Sequence, residues 1–137
     1  VDGFQNEFER LLSDVPNMTY KGAFDAATGD VCAELNMYDA AVSSSSWREG
    51  MSGSNIECKF AGVANIVSDA GFNPECVGNG VDGLIVRPRN VGSLVEAMRS
   101  VIEDRGLLAR LKRNSYEDRV NYDVATWKRG ELDVVCG

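Results

Sequence analysis

Apolar positions recur along this chain with two different periods. Phe4, Phe8, Leu11 and Leu12 share one helical face and predict a helix over residues 4–14. Residues 17–22, Asn-Met-Thr-Tyr-Lys-Gly, read as a short strand ended by glycine. A helix is predicted over 30–38, with Asp30 placed to cap its start. Ala40-Ala41-Val42-Ser43-Ser44 reads as a short strand whose serines lead into a loop, and a helix follows over about 54–61. The β-rich run 63–69 is a strand, 71–75 a loop, and Gly83-Leu84-Ile85-Val86 a strand closed by Arg87-Pro88. Val91, Leu94, Val95, Met98, Val101 and Ile102 then form a helical stripe. Further helices are predicted over 106–120 and 122–135. Short apolar strands alternating with helices predict an α/β fold, a Rossmann-like parallel sheet with helices on both faces.

A chain of 137 residues holds one domain with one core, and neither a repeat nor an internal linker interrupts it. Apolar and charged contents are ordinary for a globular protein, and no apolar run approaches a membrane span. The net charge of −7 argues against a nucleic-acid surface. Ten of the fourteen basic residues lie from Arg87 to Arg129. They suit the wet faces of helices, or an anionic lipid or protein partner. Four cysteines without a C-x-x-C pair, and no histidine, exclude a Cys/His zinc site and a histidine general base from this chain. The cysteines read as free buried thiols in a reducing cytoplasm. No D-x-D occurs, so no metal is expected. Gly78-Asn79-Gly80-Val81-Asp82-Gly83 satisfies G-x-G-x-x-G but precedes a strand instead of opening a helix, and so reads as a turn.

The chemistry concentrates between Glu49 and Glu57, eight residues apart. Gly50, Ser52, Gly53 and Ser54 lie between them and let a ligand approach the backbone, and free N–H groups at a helix start suit a phosphate. A carboxylate suits paired hydroxyls, such as a ribose diol or a sugar ring. Two readings stand for Glu57: a ligand for such hydroxyls, or the fourth residue of an S-x-x-E capping box beginning at Ser54. Glu49, taken alone, reads as a solvated loop residue.

Together these segments resemble the retaining GT-B glycosyltransferases of the family-4-like type. Glu49 to Glu57 is similar to their E-x7-E motif, with Glu49-Gly50-Met51-Ser52 as its E-G-M-S variant. Residues 40–46 resemble the preceding strand, 62–69 the G-x-P-V-V-A-T-D segment, 71–75 the G-G-N-P-E loop, and 80–86 the strand before the last helices. The resemblance covers nearly the whole chain. It implies a nucleotide-sugar donor, no cofactor and no metal. Glu57 would hold the nucleotide ribose, and Glu49, the catalytic candidate, hydroxyls of the transferred sugar. Gly50, Met51, Ser52 and Gly53 would face sugar and diphosphate. Lys21, Gly22 and Ala23 would line the base, and Glu75 would sit near the site.

The resemblance further implies that residues 1–137 form the later part of a donor-binding domain, N-terminally truncated, in a cytoplasmic enzyme. The unknown acceptor would be bound mainly by a missing N-terminal domain, and the full-length protein could associate peripherally with membrane. The family's strand order, 3-2-1-4-5-6, would make residues 18–21 a strand separated from Ala40–Ser43 by two strands that this chain does not contain. A degenerate, non-catalytic nucleotide-sugar or interaction module is the alternative. Ala64, Phe72 and Cys58-Lys59-Phe60 depart from the family pattern, Phe72 adding bulk near the expected site.

Overall fold

The computed structural model describes residues 2–22, 30–47, 50 and 52–123. Ala23, Glu49, Met51, Cys136 and the helix predicted beyond residue 123 lie outside the described residues. The elements run α1 (Asp2–Ser13), α2 (Val31–Leu35), β1 (Ala40–Ser43), α3 (Gly53–Ala61), β2 (Ala64–Ser68), α4 (Asn73–Cys76), β3 (Gly83–Val86), α5 (Val91–Glu103) and α6 (Arg105–Asp118). A 3-10 turn, Arg119–Tyr122, follows α6.

The three strands form one parallel sheet in the order β1-β2-β3. Ala40 pairs with Ala64, and Asn65 with Gly83. Alternation along each strand sends side chains to opposite faces. One face carries Ala64 and Ile66 of β2 and Val86 of β3 onto Val101 of α5 and Leu108 and Leu111 of α6. Ala41 of β1 and Val63 pack on the other side with Cys32, Leu35, Cys58 and Ala61, from α2 and α3. Val67 and Ile85 meet Phe72, Cys76, Val77 and Tyr122 on that second face. The predicted α/β sheet with helices on both faces is therefore present.

Local signals explain most boundaries. Asp30 caps α2, its side chain accepting from Ala33 N–H at 3.1 Å. Asn90 caps α5 by accepting from Ser93 N–H at 2.8 Å, and Asp104 caps α6 by accepting from Leu107 N–H at 2.8 Å. Gly62 ends α3 in the left-handed region at φ 66°, where glycine carries no Cβ penalty. The glycine run before β3 is a turn, as its sequence predicts.

Three expectations need correction. Residues 17–22 form no strand: they are exposed, and nothing among the described residues offers them a ladder. Hydrogen-bonding partners, not propensity, decide whether such a segment becomes a strand. The 71–75 loop tightens into the single-turn helix α4, with Pro74 in its first turn, where the missing N–H costs nothing. The helix predicted over 106–120 ends at Asp118, because residues 119–122 narrow into a 3-10 turn.

Candidate functional site

The carboxyl end of β1 feeds the loop that leads into α3. Ser52 is the residue that starts α3, with extended backbone and no side-chain cap bond. Its Oγ instead meets Ser54 Oγ at 2.9 Å. Ser54 is therefore already inside the first turn, and the capping box predicted from it does not form. That removes the competing role for Glu57. One turn into α3, Glu57 is exposed and walls a cavity of about 410 Å³. Glu34 of α2, Val42 and Ser43 of β1, and Ser54 and Cys58 of α3 complete much of that wall.

Two thiols lie close to Glu57. Burial, then the charges of Asp30 and Glu57, raises the Cys32 thiol. Burial, with the charges of Glu57 and Cys32 adding, pushes the Cys58 thiol up to about 11. Both stay protonated and weakly nucleophilic near neutrality. The thiols beneath Glu57 are thus uncharged, and its carboxylate is the ionic group that α3 contributes to the wall.

The predicted site residues divide into three groups. Glu57, Ser52 and Gly53 lie together at the head of α3, and Gly50 has open space around its Cα. Lys21 reaches the same neighbourhood from the other side, where its ammonium meets Glu34 at 3.1 Å and lies 5.3 Å from the Tyr38 ring centroid. Hydrogen bonds to Tyr38 and Glu34 raise its pKa. Gly22 follows at φ 79°, a glycine conformation. Glu75 is the exception: it sits exposed on α4 and does not line the Glu57 cavity. Phe72 is half-buried against Val67, Cys76 and Val77 and adds no bulk to that cavity.

The structure also reveals two polar networks that hold α3. Lys59 has no exposed side-chain surface. Its ammonium contacts Asp82, and Asp118 at 2.7 Å, and lies 5.4 Å from the Tyr122 ring centroid. Asp82 also accepts from Gly78 N–H at 2.6 Å. Burial raises the Asp118 pKa, but hydrogen bonds from Lys59 and Asn121 outweigh it and hold the carboxyl below its ordinary value. Burial also pushes Tyr122 up to about 12.

The second network is made of buried amides. Asn55 Nδ2 donates to Asn73 Oδ1 at 3.0 Å, and Asn73 Nδ2 donates to Ser68 O at 3.0 Å. Asn65 Nδ2 donates to Asn55 O at 3.1 Å, and Ser68 Oγ donates to Ser45 O at 2.6 Å. The head of α3, the end of β2, α4 and the loop after β1 are thereby locked together beside Glu57. The available signal was a lysine and two asparagines at positions whose neighbours are apolar.

The family model of the glycosyl transferases group 1 matches residues 21–118. The chain belongs to this family. A Campylobacter jejuni member, N,N'-diacetylbacillosaminyl-diphospho-undecaprenol alpha-1,3-N-acetylgalactosaminyltransferase, is 35% identical over 78 residues. That stretch is 57% of this chain but 21% of the relative. HepE from Anabaena, solved with UDP, superposes at a TM-score of 0.86 with 19% identity, covering 98% of this chain and 37% of HepE. The C-terminal domain of LpcC from Francisella tularensis superposes at 0.77 with 21% identity, covering 89% of this chain and 64% of that one. The fold is thus that of the GT-B C-terminal domain, and the chain is a glycosyltransferase group 1 domain that spans 21% of the Campylobacter relative and 37% of HepE. Among the described residues no helix is long and apolar enough to cross a membrane.

Proposed function

We propose that this chain binds the nucleotide-sugar donor of a retaining glycosyltransferase, with Glu57 accepting hydrogen bonds from the nucleotide ribose. The observation that carries the reading is the position of Glu57. It projects from the head of α3 into a cavity at the carboxyl end of β1, where parallel sheets bind ligands. HepE, which shares the fold, was solved with UDP and with UDP-glucose. Lys21, whose ammonium meets Glu34 of the cavity wall, and the adjacent Gly22 suit the base. The backbone of Gly50 to Gly53 suits the sugar and diphosphate, with Glu49 holding hydroxyls of the transferred sugar.

In the proposed reaction the bond from anomeric carbon to diphosphate oxygen breaks while the acceptor hydroxyl attacks from the same face. The leaving diphosphate takes up negative charge, and stabilising it is the main electrostatic task. The role of the α3 networks is to hold Glu57 still while this happens. No metal is part of the proposal. The acceptor is held mainly outside this chain, so the isolated 137 residues are expected to transfer no sugar.

Titrating UDP and UDP-glucose into the wild type, Glu57→Ala and Glu49→Ala tests the assignment. Loss of one charged hydrogen-bond partner weakens binding by about 1.5–3 kcal/mol. Glu57→Ala is expected to weaken UDP, and Glu49→Ala to spare UDP while weakening the intact donor. Equal loss of UDP affinity in both variants would sink the division of roles.

A further inference from the structure

The loop after β1 separates two cavities. Ser43 lines the Glu57 cavity, whereas its neighbour Ser44 lines a second one of about 230 Å³. Val91 and Leu94 of α5 line the second cavity, which therefore lies on the α5 face of the sheet. Ser68, Arg87 and Arg89 also wall it. It too is at the carboxyl ends of the strands, where α/β sheets receive ligands.

Three features of this cavity stand apart from the rest of an acidic chain with net charge −7. Arg87 walls it and two neighbouring cavities, which Asp69 and Glu96 also reach. Even so, neither Arg87 nor Arg89 forms an ion pair with a described carboxylate. Arg89 holds a left-handed backbone at φ 56°, the one non-glycine to do so among the described residues. Strain of this kind persists where the surroundings enforce it, and it clusters at ligand sites. Finally, the Arg89 guanidinium lies 5.9 Å from the ring centroid of Trp47, an indole that is 73% exposed. Trp47 belongs to the same loop as the predicted sugar-binding Glu49.

We propose that Arg87, Arg89 and Trp47 form a subsite for a phosphate group of the acceptor, across the β1 loop from the donor cavity. The assignment rests on the donor reading above. Guanidinium forks match phosphate oxygens in pairs. The cation–π contact with Trp47 favours one placement of the Arg89 fork, and the open indole face would cover the body attached to the phosphate.

The test is an NMR titration of the isotope-labelled chain with inorganic pyrophosphate while UDP is held at saturation. The reporters are the Trp47 indole N–H and the Arg87 and Arg89 Nε–H. Saturable shifts at all three are expected. Arg87→Ala/Arg89→Ala should weaken pyrophosphate about tenfold or more, the loss of charge-assisted hydrogen bonds, and leave UDP affinity unchanged. Arg99→Ala, an exposed arginine paired with Glu103 on α5, should change neither. Wild-type pyrophosphate affinity in the double variant would overturn the subsite. Abolition of the shifts by UDP would assign the group to the donor and overturn it equally. Phosphatidylglycerol vesicles provide the last arm. Arginine-dependent binding to vesicles, with no response to pyrophosphate, would make the surface a lipid contact and refute the acceptor assignment. If wild type fails to bind UDP, the donor reading falls, and the same titration without UDP still decides the arginines.

Discussion

Replacing Lys59 by methionine is the sharpest perturbation of the scaffold beneath Glu57. Methionine keeps the volume and flexibility of the lysine stem, so packing loss is small. What it removes is the ammonium between Asp82 and Asp118, whose side chains are 8% and 32% exposed against 0% for Lys59. Breaking one partner out of a buried ion pair costs about 3–5 kcal/mol, because a charge is left uncompensated. Asp118 can relax toward water, so the lower end, about 3 kcal/mol, is the expected loss. That is a large share of a small domain's stability. Urea unfolding followed by circular dichroism gives the value directly. Replacing the whole triad, Lys59→Met with Asp82→Asn and Asp118→Asn, should recover most of it, since no buried charge then remains. A loss below about 1 kcal/mol for Lys59→Met would show that the triad is effectively solvated and does not anchor α3.

Two further predictions concern stability. Gly83→Ala should destabilise by about 1–3 kcal/mol or more. Its Cβ would fall 2.5 Å from both Asn65 O and Val77 Cγ1, and a thermal scan matching wild type would refute the close packing. Stability should also decline in alkali. Cys58 titrates at about 11 when folded against 9.0 as an ordinary thiol, so its contribution is complete below 9.0 and is lost as pH rises toward 11. Urea midpoints at a series of pH values should show the decline, and Cys58→Ala should flatten it. An equally steep fall in that variant would exclude the thiol as its source.

The parts legible in the sequence were those with local causes. Strands at Ala40–Ser43 and Gly83–Val86, and the cap at Asp30, follow from short-range pattern and chemistry. Residues 17–22 misled because strand propensity says nothing about a missing ladder partner. Ser54 misled for a related reason: Ser52 and Ser54 both suit a helix start, and the chain begins α3 one residue before Ser54. Lys59 and the amides of Asn55, Asn65 and Asn73 depend on contacts 5 to 59 residues apart, which no local pattern encodes. The placement of Glu57 in the helix after the small-residue run was legible in the sequence, whereas its freedom from a capping role was visible only in three dimensions.

The central claim is that Glu57 receives the nucleotide ribose in the cavity between α2, β1 and α3. Its most direct test is a crystal structure of this chain soaked with UDP. The account predicts ribose hydroxyls within hydrogen-bond distance of the Glu57 carboxylate, with the base toward Lys21 and Gly22. UDP bound elsewhere, with Glu57 facing solvent, would contradict it.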